Sequence, residues 1–127
     1  MIVISDTTPI ISLLKINRLD LLEKSFGEVL IPNAVYAELT ADSRFIEEAR
    51  TLKKASYIKS VSVSNPEAVR ILRVATGLDQ GESEAIVLTD ERKADILLMD
   101  EAKGRTISGK MGIIGERHYQ TLLDRLQ

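Results

Sequence analysis

The feature that most constrains this chain is a set of short, wholly apolar runs separated by stretches with helical periodicity. Residues 2–5 (Ile-Val-Ile-Ser), 29–31 (Val-Leu-Ile) and 96–99 (Ile-Leu-Leu-Met) are too short for stable helices and show no polar alternation. Such runs fit strands buried on both faces, as in parallel sheets covered by helices. After the first run, Pro9 marks a helical turn with Asp6, Thr7 or Thr8 as cap, and Ile10, Ile11, Leu13 and Leu14 form its apolar face. A second helix runs through Leu19, Leu22 and Phe26 and stops near Gly27. Pro32 opens a third, carrying Val35, Glu38 and Leu39. Phe45, Ile46, Ala49 and Leu52 continue helical spacing. Residues 57–63 have mixed β character and read as a short or edge strand. Pro66 and Gly77 bracket a further helix, and residues 81–92 form the next. Beyond Asp100, a helix from Glu101 is weakened by Gly104 and Gly109, residues 113–114 read as a last strand, and residues 119–126 as a terminal helix. Strands alternating with helices predict an α/β fold with a mainly parallel sheet.

At 127 residues the chain has the length of a single domain, 1–127, without internal repeat or linker. No apolar run approaches the roughly 18 to 20 residues that cross a bilayer. No basic segment precedes the first apolar run, so it reads as a strand and not a signal peptide, and the absence of Cys suits a reducing, cytoplasmic setting. The net charge of −2 excludes a strong global positive field, and 4% aromatic content argues against base-stacking platforms. Contact with nucleic acid would need a local basic patch or a bound cation.

In parallel sheets, ligands bind beyond the carboxyl ends of the strands. The first strand ends in Asp6 and the 96–99 strand in Asp100, so adjacent strands would bring the two carboxylates together. Glu38, two turns into its helix, can lean back toward the same rim. Gly81-Glu82-Ser83-Glu84 adds two acids in a first helical turn; two positions apart, they cannot both face one centre. Converging carboxylates repel unless a cation balances them, and an oxygen-only set without Cys and with one His favours Mg²⁺ or Mn²⁺. Each acid also has a structural explanation: Asp6 and Asp100 as helix caps, Glu38 on a solvated face, Glu82 and Glu84 at a helix N-terminus.

These residues carry a family pattern. The strand before Asp6-Thr7-Thr8 resembles the opening of PIN-domain nucleases. Ile31-Pro32 followed by Val35-x-x-Glu38-Leu39 is similar to the family's second strand and glutamate-bearing helix. Leu78-Asp79-x-Gly81-Glu82-x-Glu84-Ala85-Ile86, then Leu97-Leu98-Met99-Asp100-Glu101 and Gly104-Arg105, resembles a prokaryotic PIN-like subgroup of predicted nucleic-acid-binding proteins. The resemblance covers about residues 1–115; the ending after Gly115 is atypical. It implies a three-layer α/β/α fold, divalent-metal-dependent ribonuclease chemistry, kinship with VapC-type toxins held by a small antitoxin, and homodimers. By carry-over, Asp6, Glu38 and Asp100 are metal-site acids with Glu82 or Glu84, and Thr7 orients them through its hydroxyl.

Other motifs compete. Gly104 to Lys110 fits most of a P-loop, but Met111 stands where a hydroxyl must hold Mg²⁺. Lys103, Arg105 and Lys110 are better read as phosphate contacts near Asp100. Asp6-x-Thr8 is compatible with a haloacid-dehalogenase-like phosphatase using Asp6 as nucleophile, although Thr8 stands where a second Asp is usual. A third reading is a catalytically inactive module that binds RNA or an antitoxin. His118, the one histidine, has no nucleophile elbow to serve.

Overall fold

The computed structural model describes residues 1–99 and 113–114. Its elements are β1 (Val3–Ser5), α1 (Thr7–Lys15), α2 (Asp20–Phe26), β2 (Val29–Pro32), α3 (Asn33–Ala41), α4 (Ile46–Lys54), β3 (Ile58–Val61), α5 (Pro66–Thr76), α6 (Gln80–Glu91), β4 (Ile96–Leu98) and β5 (Ile113–Ile114). The strands form one all-parallel sheet in the order β3-β2-β1-β4-β5.

The unbroken apolar runs are explained by burial on both faces. Successive strand residues point to opposite sides, so each run must supply two cores. Val3, Val29, Ile31, Ile96 and Leu98 pack on one side against Ile10 and Leu13 of α1, Leu22 of α2, Val35 of α3 and Leu52 of α4. Ile4, Leu97 and Met99 pack on the other against Ala85, Ile86 and Leu88 of α6, with Leu72 of α5 beside them. The predicted three-layer α/β/α arrangement is what forms.

Local punctuation follows the residues expected. Gly27 and Gly77 take φ of +77° and +76° just past α2 and α5, a conformation that favours glycine. Two details differ. Helix α1 starts at Thr7, two residues before Pro9, with Asp6 as N-cap. The periodicity from Phe45 to Leu52 is not one continuation of α3: Asp42 accepts the Arg44 amide at 2.9 Å and begins a 3-10 turn, Ser43–Phe45, before α4. Residues 57–63 contain β3 at the sheet edge, and β5 falls at the expected residues 113–114. The helices expected from Glu101 and over 119–126 lie outside the described residues, as does His118. No helix among the described residues is long and apolar enough to cross a membrane.

Candidate active site

From β1 the chain builds outward to β2 and β3, then crosses to the other side of β1 to lay down β4. That reversal leaves a crevice at the carboxyl ends of β1 and β4, the switch point where α/β sheets place ligands. Asp6 stands there. Its backbone N–H donates to the Leu98 carbonyl at 2.9 Å, extending the β1–β4 ladder by one bond before the chain turns into α1.

Asp6 occupies the N-cap position of α1, yet its side chain makes no capping hydrogen bond. It is 3% exposed. Burial pushes its carboxyl from 3.8 up to about 7; the Thr7 backbone N–H works against that rise, and the charges of Glu82, Asp79 and Glu38, in falling order, add to it. A buried acid facing three others, without the capping hydrogen bond expected at its position, is not explained by capping.

The surrounding acids come from two helices. Asp79 heads α6 and forms a reciprocal capping box with Glu82. Glu82 N–H donates to Asp79 Oδ1 at 2.8 Å, and Asp79 N–H donates to Glu82 Oε1 at 2.9 Å. The box fixes Glu82, which is 4% exposed, where its charge acts on Asp6. Glu38 approaches from α3 and is exposed. A side-chain carbon built on Gly81 would meet Val35 Cγ2 at 3.4 Å, Glu38 Oε1 at 3.5 Å and Asp79 Oδ1 at 3.7 Å. The missing side chain at Gly81 therefore leaves an open cradle between two carboxylates.

Glu84 is held elsewhere. Its Oε1 accepts the Ala34 N–H at 3.2 Å and its Oε2 accepts Gln80 Nε2 at 2.6 Å. Pro32 heads α3 without a side chain able to cap it, so Glu84 satisfies a free amide of that helix from α6. Of the two glutamates left open by the sequence, Glu82 lies with Asp6 and Glu84 ties α6 to α3. Asp79, not singled out from the sequence as a site residue, joins the cluster; its signal was the acid two residues before Gly81. Thr7 is buried, and its Oγ1 has no hydrogen-bond partner among the described residues, nor has the Oγ of fully buried Ser83. Asp100, Lys103, Arg105 and Lys110 lie outside the described residues.

Among the described residues no group of three or more acids, histidines or cysteines is arranged to hold a metal ion by itself. The chemistry nonetheless fits a hard divalent cation: a purely carboxylate donor set, a cradle left open at Gly81, and an unpartnered buried hydroxyl on the residue after Asp6.

Residues 2–115 match a family profile described as PIN domain. No curated protein sequence matches the chain. Among solved structures, a protein from Pyrobaculum aerophilum is similar with a TM-score of 0.71 at 16% identity, covering 98% of each chain. A toxin–antitoxin complex from Klebsiella pneumoniae gives 0.63 at 14% identity, over 88% of this chain and 95% of the other. VapBC2 from Rickettsia felis, bound to a DNA fragment from its promoter, gives 0.59 at 19% identity, over 91% and 98%. At these identities the likeness to the solved structures is one of fold.

Proposed function

Because this chain belongs to the PIN-domain family, we propose that it is a divalent-metal-dependent ribonuclease hydrolysing RNA phosphodiester bonds. The observation that carries the reading is Asp6: buried, uninvolved in capping, and opposed by the charges of Glu82, Asp79 and Glu38. Asp6, Glu82 and Asp100 would hold Mg²⁺ or Mn²⁺, which when bound supplies charge for the phosphodiester and a more acidic water. Asp6, with its carboxyl near 7, carries the charge that a cation would stabilise. Glu38, exposed beside Gly81, would accept a proton from the attacking water. Asp79 fixes Glu82 through the capping box. Asp6 is accordingly read as a ligand acid, not as the nucleophile of a phosphatase.

The partner we propose is a small antitoxin, in line with the toxin–antitoxin complexes among the structures of similar fold. A cavity of about 270 Å³ between α1, α3 and α4, lined by apolar Ile11, Leu14, Leu39 and Phe45 together with charged Lys15, Glu38, Asp42 and Glu48, would offer such a partner a seat beside the acids.

The test is cleavage of a mixed RNA panel by purified protein in Mg²⁺, Mn²⁺ or EDTA, beside Asp6→Asn and Asp100→Asn. Metal-dependent cleavage lost in both variants supports the reading. Folded wild type that cleaves nothing in any metal, without a partner present, overturns it and leaves a binding role.

A further inference from the structure

We propose that Arg73 grips a backbone phosphate of the RNA strand on which the acids act, an inference that rests on the ribonuclease reading. The acids repel a polyanion, and a chain of net charge −2 offers no global field to overcome that repulsion. Beside any bound metal, a local cationic side chain at the rim would help to do so. Four of the arginines among the described residues are engaged by carboxylates: Arg18 with Asp20, Arg44 with Asp42, Arg50 with Glu47 and Arg70 with Glu67.

Arg73 is held differently. Exposed in the last turn of α5, it donates from Nη1 to Gln80 Oε1 at 2.8 Å. A neutral amide orients the guanidinium without neutralising it. Gln80 is the first residue of α6 and is itself fixed, through Nε2, by Glu84. The chain Arg73–Gln80–Glu84–Ala34 therefore plants a full positive charge at the end of α6 that carries Asp79, Gly81 and Glu82. Among the described residues only one N–H of the guanidinium is used, which leaves an edge for a phosphate. Pre-orientation lowers the entropy cost of that contact.

Arg92 supplies the internal control. It is an exposed arginine at the C-cap of the same helix, whose 12 residues put it about 18 Å from the proposed grip. Binding of a labelled single-stranded RNA of mixed sequence is measured in EDTA from 50 to 200 mM salt. The protein is the full chain carrying Asp6→Asn, alone or with Arg73→Ala, Arg73→Lys or Arg92→Ala. One phosphate contact to single-stranded nucleic acid contributes about 0.7 to the slope of log affinity against log salt. Arg73→Ala should lose that increment, so its deficit against the parent shrinks about threefold across the range. Arg73→Lys should keep the slope, and Arg92→Ala should match the parent.

Equal slope changes in Arg73→Ala and Arg92→Ala would mean a diffuse charge effect and overturn the assignment. So would an unchanged slope in Arg73→Ala while the parent binds. Absence of RNA binding by the parent in EDTA overturns the inference, while the ribonuclease reading itself stands or falls on metal-dependent cleavage by wild type. Urea unfolding of each variant separates lost contact from lost fold.

Discussion

Replacing Asp6 by Asn should make the metal-free protein more stable at pH 8. The native carboxyl titrates near 7 while its ordinary value is 3.8. Between those values the folded protein keeps a proton that the unfolded chain has released. The contribution of this group to stability is therefore complete below about pH 4 and is lost as pH rises toward and through 7. At about 1.4 kcal/mol per pH unit, the gap corresponds to a ceiling of ~4 kcal/mol. Relaxation and water entry reduce that figure, so about 2–4 kcal/mol is the range to look for. Asn is nearly isosteric with the protonated acid and carries no charge. The assay is urea unfolding of wild type and variant in EDTA at pH 4.5, 6, 7 and 8. The variant's advantage should be smallest at pH 4.5, roughly a quarter of its full value, and grow through the window to its full value by pH 8. A variant no more stable than wild type at pH 8, or a difference that does not change with pH, would refute the claim that Asp6 is a buried acid repelled by its neighbours.

Added Mg²⁺ at pH 8 should raise the melting temperature of wild type more than that of Asp6→Asn, as read by calorimetry; equal shifts would place ion binding elsewhere. Gly81→Ala should fold with stability equal to or about 0.5–1 kcal/mol above wild type, since its methyl meets only ordinary contacts at 3.4–3.7 Å. RNA cleavage by that variant should fall at least tenfold, on the order of 1.4 kcal/mol in the barrier, because the methyl intrudes between Glu38 and Asp79. Glu84→Ala removes the cap on Ala34 and should cost roughly 0.5–2 kcal/mol in urea unfolding, with larger hydrogen-exchange gains in the first turn of α3 than in α6. Leu97→Ala should cost about 2–5 kcal/mol by cavity formation, as Leu97 is fully buried on the face of β4 that packs against α6.

Much of the architecture could be read along the chain because the strands are buried on both faces. Val29-Leu30-Ile31 and Ile96-Leu97-Leu98-Met99 have no polar residue to confuse their assignment. Gly27 and Gly77 mark helix ends at the two positions where a positive φ is needed. The break at Asp42 was hidden because Phe45, Ile46, Ala49 and Leu52 keep helical spacing across it; only the local bond from Arg44 to Asp42 ends the register. In the site, Asp6 was legible as an acid at a strand terminus. Asp79 was not, because an Asp ahead of a helix is fully accounted for as a cap, and here it is a cap while also standing beside Glu38. The choice between Glu82 and Glu84 depends on side-chain direction in a first turn, which the capping box and the Ala34 amide decide. Neither partner is marked by spacing alone.

The placement of β1 between β2 and β4 also orders events in time. Asp6 is made well before the strand beside it, β4, which starts at Ile96 and joins in the register Val3↔Ile96. The N-terminal edge of that pairing is clasped by Asp95, whose carboxylate accepts the Ile2 N–H at 2.7 Å. Residues 1–90 already contain Asp6, Glu38, Asp79 and Glu82, yet without β4 the crevice has no wall on one side. Closing a loop of that length is among the later and slower steps of folding. The crevice is thus withheld until β4 has joined β1, a step that follows synthesis of all four of those acids.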